Sequence, residues 1–434
     1  MSEHPIRVGL VGLGQVGSAV AQRLLRDREL IALRSLHPIE LKRVAVNDLN
    51  KTRSIDLSGI RLDDQALQLA SDPEVDLVVE LVGGTGVARE VVLTALRNGK
   101  HVVTANKALL AEHGDEVFPL ALKMGRQLGL EASVGGGIPI IQTLDGAMVA
   151  SEITEIFTII NGTSNYILTE LSEGRNDYKG ALSDAKRLGY AESDPTFDVE
   201  GYDSAHKIAI LASVCFGTQI LAKEVRVEGI TRLTPADFEH AHELRHEIKL
   251  LAIAKDFGDE VEVRVHPTMI PIAHPLASVR GVDNGILLVS SDGIKTGLYG
   301  QGAGPIPTSA AVVSDIIAIA RRFDQPVRSH FFGHWGIRPK RVRSWEESHS
   351  RYCLRAEVLD KPGVLAKIFK ILADYNISIS AMVSRDGTPE VAVPTSLTLH
   401  PTREGALKRA LEEINQLEVV VKDTPFFIRI EEMI

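Results

Sequence analysis

The residues with the most chemistry to offer lie between Ala185 and Lys207, in the run AKRLGYAESDPTFDVEGYDSAHK. Asp203 and Lys207 stand at i and i+4, which puts a carboxylate and an ammonium on one face of a helix. The polar loop before them, Tyr190 to Gly201, adds Glu192, Asp194, Asp198 and Glu200. Lys207 is followed at once by the apolar run Ile208 to Phe216, so the helix that carries it is nearly all buried from there onward. Burial makes a lysine easier to deprotonate, and a neighbouring carboxylate opposes that. Such a pair holds an ammonium poised to donate a proton. A solvated acidic loop beside a surface ion pair is the competing explanation.

A second set of residues has the order that a dinucleotide site needs. Ile6 to Val11 reads as a short apolar strand, and Gly12-Leu13-Gly14-Gln15-Val16-Gly17 opens an amphipathic helix, Ser18 to Arg28. In that order Gly12 permits the tight turn, Gly14 lets backbone approach a pyrophosphate and Gly17 lets helix and strand pack closely. The pyrophosphate would sit on the helix N-terminus, beside Leu13 and Val16. The next strand, Arg43 to Val46, ends in Asn47-Asp48. An acid there takes the ribose 2′-hydroxyl of NAD, and a basic residue accepts the 2′-phosphate of NADP. Lys51 and Arg53 follow as nearby cations.

These groups need elements to hold them. Glu74 to Val82 reads as a strand that runs into Gly83-Gly84-Thr85-Gly86, a loop able to line the nicotinamide or a plain strand-to-helix turn. A helix, Ala88 to Asn98, ends at Gly99, and strand His101 to Thr104 delivers Ala105-Asn106-Lys107. Lys107 therefore follows the carboxyl end of a parallel strand, where ligands of open α/β sheets sit, although a solvated lysine is the usual reading of one loop Lys. Helix Glu116 to Leu128, strand Leu130 to Ser133, the glycine run Gly135 to Gly137 and helix Ile138 to Met148 come next. Strand Glu152 to Ile160 reaches Asn161-Gly162-Thr163-Ser164-Asn165, read as lining the site or as a simple helix cap by Thr163 or Ser164. A short helix, Tyr178 to Leu188, is stopped by Gly189. Glu260 to Val265 and Gly285 to Ser290 read as strands of one open sheet, and Gln301-Gly302-Ala303-Gly304 precedes a helix, Ala310 to Arg321.

Lys340 to Ser350 is a charged break. Beyond it the order is strand (Tyr352 to Leu359), helix (Val364 to Tyr375), strand (Ser378 to Ser384), strand (Val391 to His400), helix (Glu404 to Leu417) and strand (Phe426 to Ile430), a βαββαβ pair of split units. Leu365, Ile368, Phe369 and Leu372 give its first helix one apolar stripe, and no catalytic cluster appears.

A chain of 434 residues has room for about three domains. Its net charge of -9 argues against a general nucleic-acid or anionic-membrane partner, which would need a basic face. With only Cys215 and Cys353, neither a disulfide framework nor a cysteine metal site is expected. Met1 to Pro5 leads into a strand without a signal-like apolar stretch, and no apolar run approaches about 18 residues, so a cytoplasmic location is expected.

The segment Ala185, Gly189, Tyr190, Ala191, Asp194, Pro195, Asp198, Val199, Gly201, Asp203, Lys207 resembles the signature of homoserine dehydrogenases at every fixed position. Thr104 to Lys107 is similar to that family's T-[AP]-N-K motif, and the tail resembles an ACT domain, including Asp360-Lys361-Pro362-Gly363 and Asn376. The resemblance implies an α/β chain. It has a Rossmann-type dinucleotide-binding domain at 1–137 completed by 305–325, an α+β open-sheet catalytic and dimerisation domain at 138–304, a linker at 326–350 and a ferredoxin-like ACT domain at 351–434.

It further implies reduction of L-aspartate 4-semialdehyde to L-homoserine with NAD(P)H. Lys207 would be the proton donor, Lys107 a second stabiliser touching cofactor and substrate, and Asp203 the group that orients Lys207. Gly189, Glu192 and Asp198 would hold the substrate, and Gly12, Leu13, Gly14, Val16, Gly17, Asn47, Thr85 and Gly304 the cofactor. A sodium ion, Na+, is implied at Glu131, Val134, Gly136 and Ile138. Many members carry arginine where this chain has Asn47, a departure that leans toward NAD, while Lys51 and Arg53 can still supply positive charge to a 2′-phosphate, so both dinucleotides stay open. The ACT-like tail implies feedback by an amino acid, threonine first, or else only dimer formation, in a homodimer or homotetramer. Two other readings stay open: a different NAD(P)-linked enzyme of amino-acid metabolism, and a non-catalytic sensor of dinucleotide and amino acid.

Overall fold

Short apolar strands separated by amphipathic helices bury both faces of a sheet only when the strands run parallel. The computed structural model describes residues 4–323, 339–384 and 391–432. Its first sheet contains β1 (Ile6–Val11), β2 (Ile39–Ala45), β3 (Arg61–Asp63), β4 (Leu77–Glu80), β5 (His101–Thr104) and β6 (Leu128–Gly129). They lie in the order β3-β2-β1-β4-β5-β6 with every pair parallel. The order reverses between β1 and β4, which makes the carboxyl ends of these two strands the ligand crevice of a doubly wound fold.

The helices on this sheet are α1 (Gln15–Arg26), α2 (Arg28–Ser35), α3 (Ala66–Ser71), α4 (Val87–Arg97) and α5 (Lys107–Met124). Two departures from the sequence reading have local causes. One helix was expected to run on to Arg28, but Asp27 leaves helical geometry and α2 starts afresh, ending where Leu36 takes φ +66°. Helix α5 begins at Lys107 rather than Glu116, because the Asn106 side chain caps it by accepting the N–H of Leu109, and it is interrupted at His113 (φ −128°).

The strand expected at Leu130 to Ser133 is instead the one-turn helix α6 (Glu131–Val134), and the helix expected over Ile138 to Met148 is the shorter α7 (Ile140–Asp145). Buried polar groups drive both changes. Asp315 takes the backbone N–H of Glu131 at 2.9 Å, and the Glu131 carboxyl takes those of Ile141 at 2.9 Å and Gln142 at 2.8 Å.

The chain divides into two compact units: Met1–Gly162 with Tyr202–Val225 and Val282–Lys340, and Thr163–Gly201 with Arg226–Gly281 and Arg341–Ile434. Residues 138–304 are therefore shared between them. In the first unit β7 (Ile153–Ile159) is followed by α8 (Gly162–Ser172), whose first residue lies in this unit and the rest in the second. In the second unit α9 (Tyr178–Arg187) and α10 (Thr196–Val199) flank the signature loop. The chain then returns to the first unit as α11 (Tyr202–Phe216), passes through β8 (Arg226–Val227), α12 (Pro235–Glu243), β9 (His246–Asp256) and β10 (Glu260–Pro271) of the second, and re-enters the first at β11 (Asp283–Ser290) and β12 (Lys295–Gln301). Helix α13 (Pro305–Arg321) ends that passage and packs Val312, Val313, Ile316, Ile319 and Ala320 into the same core as Ile6, Val8, Leu10 and Val20.

In the second unit β13 (Arg341–Val342), β14 (His349–Leu359), α14 (Val364–Asp374), β15 (Ile379–Ser384), β16 (Ala392–Arg403), α15 (Glu404–Ile414) and β17 (Phe426–Ile430) complete the chain. The module's strands order as β17-β14-β16-β15, the ferredoxin-like arrangement of a βαββαβ unit, and β17 pairs in parallel with β10. Both helices pack on this sheet through a core that includes Tyr352, Leu354, Ile368, Leu372, Leu399 and Leu407. Residues 326–338 of the expected linker lie outside the described residues.

Gly17 is where α1 meets β1 most closely: a Cβ there would lie 2.1 Å from the Gly12 carbonyl oxygen, a backbone atom that cannot step aside. Gly17→Ala should destabilise the chain by about 1–3 kcal/mol through this overpacking. A thermal melt with and without dinucleotide checks it, and the variant should also show less stabilisation by the dinucleotide than the parent.

Candidate active site

Helix α11 opens after Gly201, whose φ of +86° ends the preceding turn, and it buries all of its residues except Tyr202, His206 and Cys215 to below a tenth exposure. The i, i+4 spacing of Asp203 and Lys207 then places their side chains together in that buried wall. Asp203 is the hub. Its Oδ2 accepts Lys207 Nζ at 2.8 Å and Asn161 Nδ2 at 2.8 Å, and its Oδ1 accepts Lys107 Nζ. The two lysines thus reach one carboxylate from different elements, α5 and α11.

Exposure separates the two cations. The Asp203 side chain is 3% exposed and that of Lys207 11%, whereas that of Lys107 is 37% exposed. Lys207 also donates to the backbone oxygen of Ile160 at 2.9 Å, so two of its three N–H bonds have acceptors inside the wall. Burial alone would push the Asp203 carboxyl up; the ammonium groups of Lys207 and Lys107, with the hydrogen bonds they donate, outweigh it and hold the group well below the ordinary carboxylate range. Two cations on one anion leave a net positive cluster. Such a cluster, fixed before reaction, stabilises a negative oxygen that develops beside it.

The glycine loop has the geometry of a phosphate cradle. Gly12 adopts φ +96°, where a Cβ would meet the Leu81 carbonyl oxygen at 2.6 Å. Gly14 is exposed at the N-cap of α1 with open space where a side chain would be, and Leu13 and Val16 pack partly buried against the core. Asn47 is exposed just past β2, and Thr85 lies in the turn before α4. Gly304, at φ +120°, caps α13.

Beyond β2 the Arg53 guanidinium folds back on its own loop. It donates to the carbonyl oxygens of Lys51 at 2.7 Å, Leu49 at 3.3 Å and Asp48. Asp48 in turn accepts the N–H of Asn50 at 2.9 Å.

The remaining substrate candidates, Gly189, Glu192 and Asp198, belong to the second unit. Gly189 adopts φ +78° after α9, and Glu192 is exposed. Thr163 and Ser164 do not cap their own helix: Thr163 Oγ1 donates to the Tyr190 carbonyl, and Ser164 Oγ to that of Asp198 at 2.9 Å. They pin the two ends of the signature loop.

Glu131, Val134, Gly136 and Ile138 are all buried. Burial pushes the Glu131 carboxyl up to about 7 and, with Glu131 nearby, that of Asp315 up to about 8. Among the described residues neither has an ion-pair partner, and no group of three or more His, Cys, Asp or Glu side chains could hold a metal. Gly136, at φ +59°, packs so close to Gly302 that a Cβ would lie 2.1 Å from its carbonyl oxygen.

Sequence reasoning missed two contributors to the cluster. Asn161 was read only as part of a lining loop, and the Ile160 carbonyl carries no side-chain signal at all. Outside that cluster, Asp315, which accepts the Glu131 N–H, is visible in the sequence as an acid inside the apolar run Ala310 to Ala320.

Known proteins resemble the chain over nearly its full length. The family model described as homoserine dehydrogenase matches residues 139–317, its NAD-binding domain model 12–131 and the ACT domain model 354–419. The homoserine dehydrogenase of Neisseria gonorrhoeae is 41% identical over 423 residues, 96% of this chain and 97% of that one. A crystal structure of the homoserine dehydrogenase from Thiobacillus denitrificans superposes with a TM-score of 0.91 at 40% identity, covering 99% of both chains. That of the S. aureus homoserine dehydrogenase at pH 7.5 gives 0.80 at 28% identity over 98% of this chain and 99% of its own.

Asp203 also sets an acid-stability test. Its depressed value means that the folded form keeps it ionised while the unfolded chain takes up the proton below about pH 4, so that stability is lost as pH falls. Chemical denaturation between pH 5 and pH 3 should show a steeper fall for the parent than for Asp203→Asn, by up to about 1.4 kcal/mol per pH unit below pH 4.

Proposed function

Starting from the fact that this chain belongs to the homoserine dehydrogenase family, an NAD(P)-dependent oxidoreductase family, we propose that it reduces L-aspartate 4-semialdehyde to L-homoserine, reversibly, on the route to threonine and methionine. The observation that carries this is the Asp203 carboxylate shared by Lys107 and Lys207, at the positions of the family's two motifs.

Bound NAD(P)H supplies the hydride that reduces the aldehyde carbon. Lys207 donates a proton to the aldehyde oxygen as it becomes an alkoxide, using the N–H that neither Ile160 nor Asp203 accepts. Lys107, more open to solvent, adds positive charge beside the same oxygen and touches the cofactor. Asp203 keeps both ammonium groups in place. Glu192 and Asp198 pair with the substrate ammonium, and Gly189 leaves room for it. Gly12, Leu13, Gly14, Val16 and Gly17 hold the pyrophosphate, with Asn47 at the ribose and Thr85 and Gly304 toward the nicotinamide.

We assign NAD as the preferred dinucleotide. Asn47 offers no charge to a 2′-phosphate, and the Arg53 guanidinium is already spent on three carbonyl oxygens of its own loop. Glu131, with the carbonyl oxygens of Val134, Gly136 and Ile138, fits a sodium ion: the donors are all oxygen, and among the described residues the buried acids Glu131 and Asp315 have no ion-pair partner. The ion would stiffen the glycine turn that packs on Gly302. The ACT module binds threonine as a feedback effector, and the assembly is a homodimer or homotetramer, which the mass in solution checks. No helix among the described residues is long and apolar enough to cross a membrane, in keeping with a cytoplasmic enzyme.

Lys207→Ala should lose about 100- to 10,000-fold in turnover while its dinucleotide affinity, read by fluorescence titration, stays within about threefold. Unchanged turnover would remove Lys207 from the proton-donor role. In an absorbance assay of homoserine oxidation, kcat/KM should be higher with NAD than with NADP and should fall when threonine is added. Asn47→Arg should shift the cofactor ratio toward NADP by about tenfold to a hundredfold, the worth of one charge-assisted hydrogen bond. A parent that prefers NADP contradicts the assignment.

A further inference from the structure

We propose that Glu80 is a positioning residue that sets Lys107 through a chain of buried hydrogen bonds, an inference that rests on the role given to Lys107 above. Glu80 ends β4 at 0% exposure and has no ion-pair partner among the described residues. Its Oε1 accepts the backbone N–H of Val82 at 2.8 Å and of Gly83 at 3.2 Å, and its Oε2 accepts Thr104 Oγ1 at 2.6 Å. Thr104 ends β5 and is the register partner of Glu80 across the two strands.

The direction of the chain is fixed by what each group can donate. The Thr104 hydroxyl oxygen accepts the N–H of Asn106 at 3.0 Å, so its own proton is free to go to Glu80. Asn106 then uses both ends of its amide. Nδ2 donates to the Gly84 carbonyl at 2.7 Å, and Oδ1 accepts Leu109 N–H at 3.1 Å, which caps α5. Lys107 is the first residue of α5. The Gly83-Gly84 loop and the backbone that presents Lys107 are thus tied to one buried acceptor, with Thr104 at 0% and Asn106 at 6% exposure between them.

A strand end that served only packing would be satisfied by an apolar side chain; three donors converging on one buried acid make sense as alignment of the two loops they come from. Glu80→Gln keeps the shape but removes the charged acceptor: with the amide oxygen toward the Val82 and Gly83 N–H groups, the NH2 faces Thr104 Oγ1, and the hydroxyl can only accept from it and must turn its own proton elsewhere. The chain loses its charge-assisted bond without removing an atom from the reacting cluster.

A double-mutant cycle separates alignment from packing. In homoserine oxidation Glu80→Gln should lower kcat/KM by about 10- to 100-fold in the native background and by less than about 2-fold in Lys107→Ala, whose residual rate is read at high enzyme concentration. Thr104→Val should repeat this pattern and serves in its place if Glu80→Gln does not fold, and Thr104→Ser, which keeps the hydroxyl, should recover activity to within about threefold. An equal loss in both backgrounds, or a loss below about 2-fold in the native one, overturns the proposal. A Lys107→Ala single variant with native activity would instead overturn the role of Lys107 and leave the hydrogen-bond chain as a structural feature.

Discussion

A carboxylate that has lost nearly all contact with water must find positive charge or hydrogen-bond donors, or else take up a proton, and in this chain Asp203 finds positive charge twice. Its desolvation is compensated by two ammonium groups that arrive from separate helices, with an amide N–H from Asn161 completing the shell. Removing Asp203 would leave the buried Lys207 ammonium without its counter-charge, at a cost of about 3–5 kcal/mol, whereas removing one lysine leaves the carboxylate paired with the other. The same requirement that stabilises the cluster also aligns it, because Lys107 and Lys207 cannot drift apart while both are bound to one acid. Net positive charge, held still and screened from solvent on one side, is what the reduction of an aldehyde asks of a protein.

The elements around the cluster follow from that need. Helix α11 is apolar almost throughout, so it can be buried and can carry two charged residues only at its mouth. Helix α5 starts at Lys107 because Asn106 caps it, which places the second ammonium at the carboxyl end of β5 instead of in a loose loop. The parallel sheet supplies the other half of the site, since its order reverses beside the glycine turn after β1. Buried acids elsewhere are handled in other ways. Glu228 and Glu404 both bind the buried Arg429 in the carboxyl-terminal unit, whereas Glu131 and Asp315 have no such partner among the described residues and stand beside the glycine turn Gly135 to Gly137.

Much of this was legible in the residues themselves. The strand, glycine loop and helix at the amino end, the i, i+4 pair on α11 and the βαββαβ order of the tail are local patterns, and local patterns survive in sequence. Strands β1, β5 and β17 have the bounds that their composition suggests. What could not be read were partnerships over long separations. That Lys107 and Lys207 share one carboxylate depends on how α5 and α11 pack, and in place of the strand expected at Leu130 to Ser133 there is a helical turn whose Glu131 N–H donates to Asp315, 184 positions away. Strands β9 and β12 were missed for a related reason. β9 is buried along most of its length, so it shows no alternation of apolar and polar residues, and β12 is rich in glycine and polar residues. The relatives confirm the family, and they weigh against the reading of the chain as a sensor without catalysis.

The measurement that bears most directly on the Asp203 cluster is a crystal structure of the chain with L-homoserine and oxidised dinucleotide bound together. The account predicts the homoserine side-chain hydroxyl within hydrogen-bonding distance of Lys207 Nζ, about 3 Å, with Asp203 still bound to both lysines. A hydroxyl out of reach of both ammonium groups, in a complex where substrate and cofactor are well ordered, would contradict it.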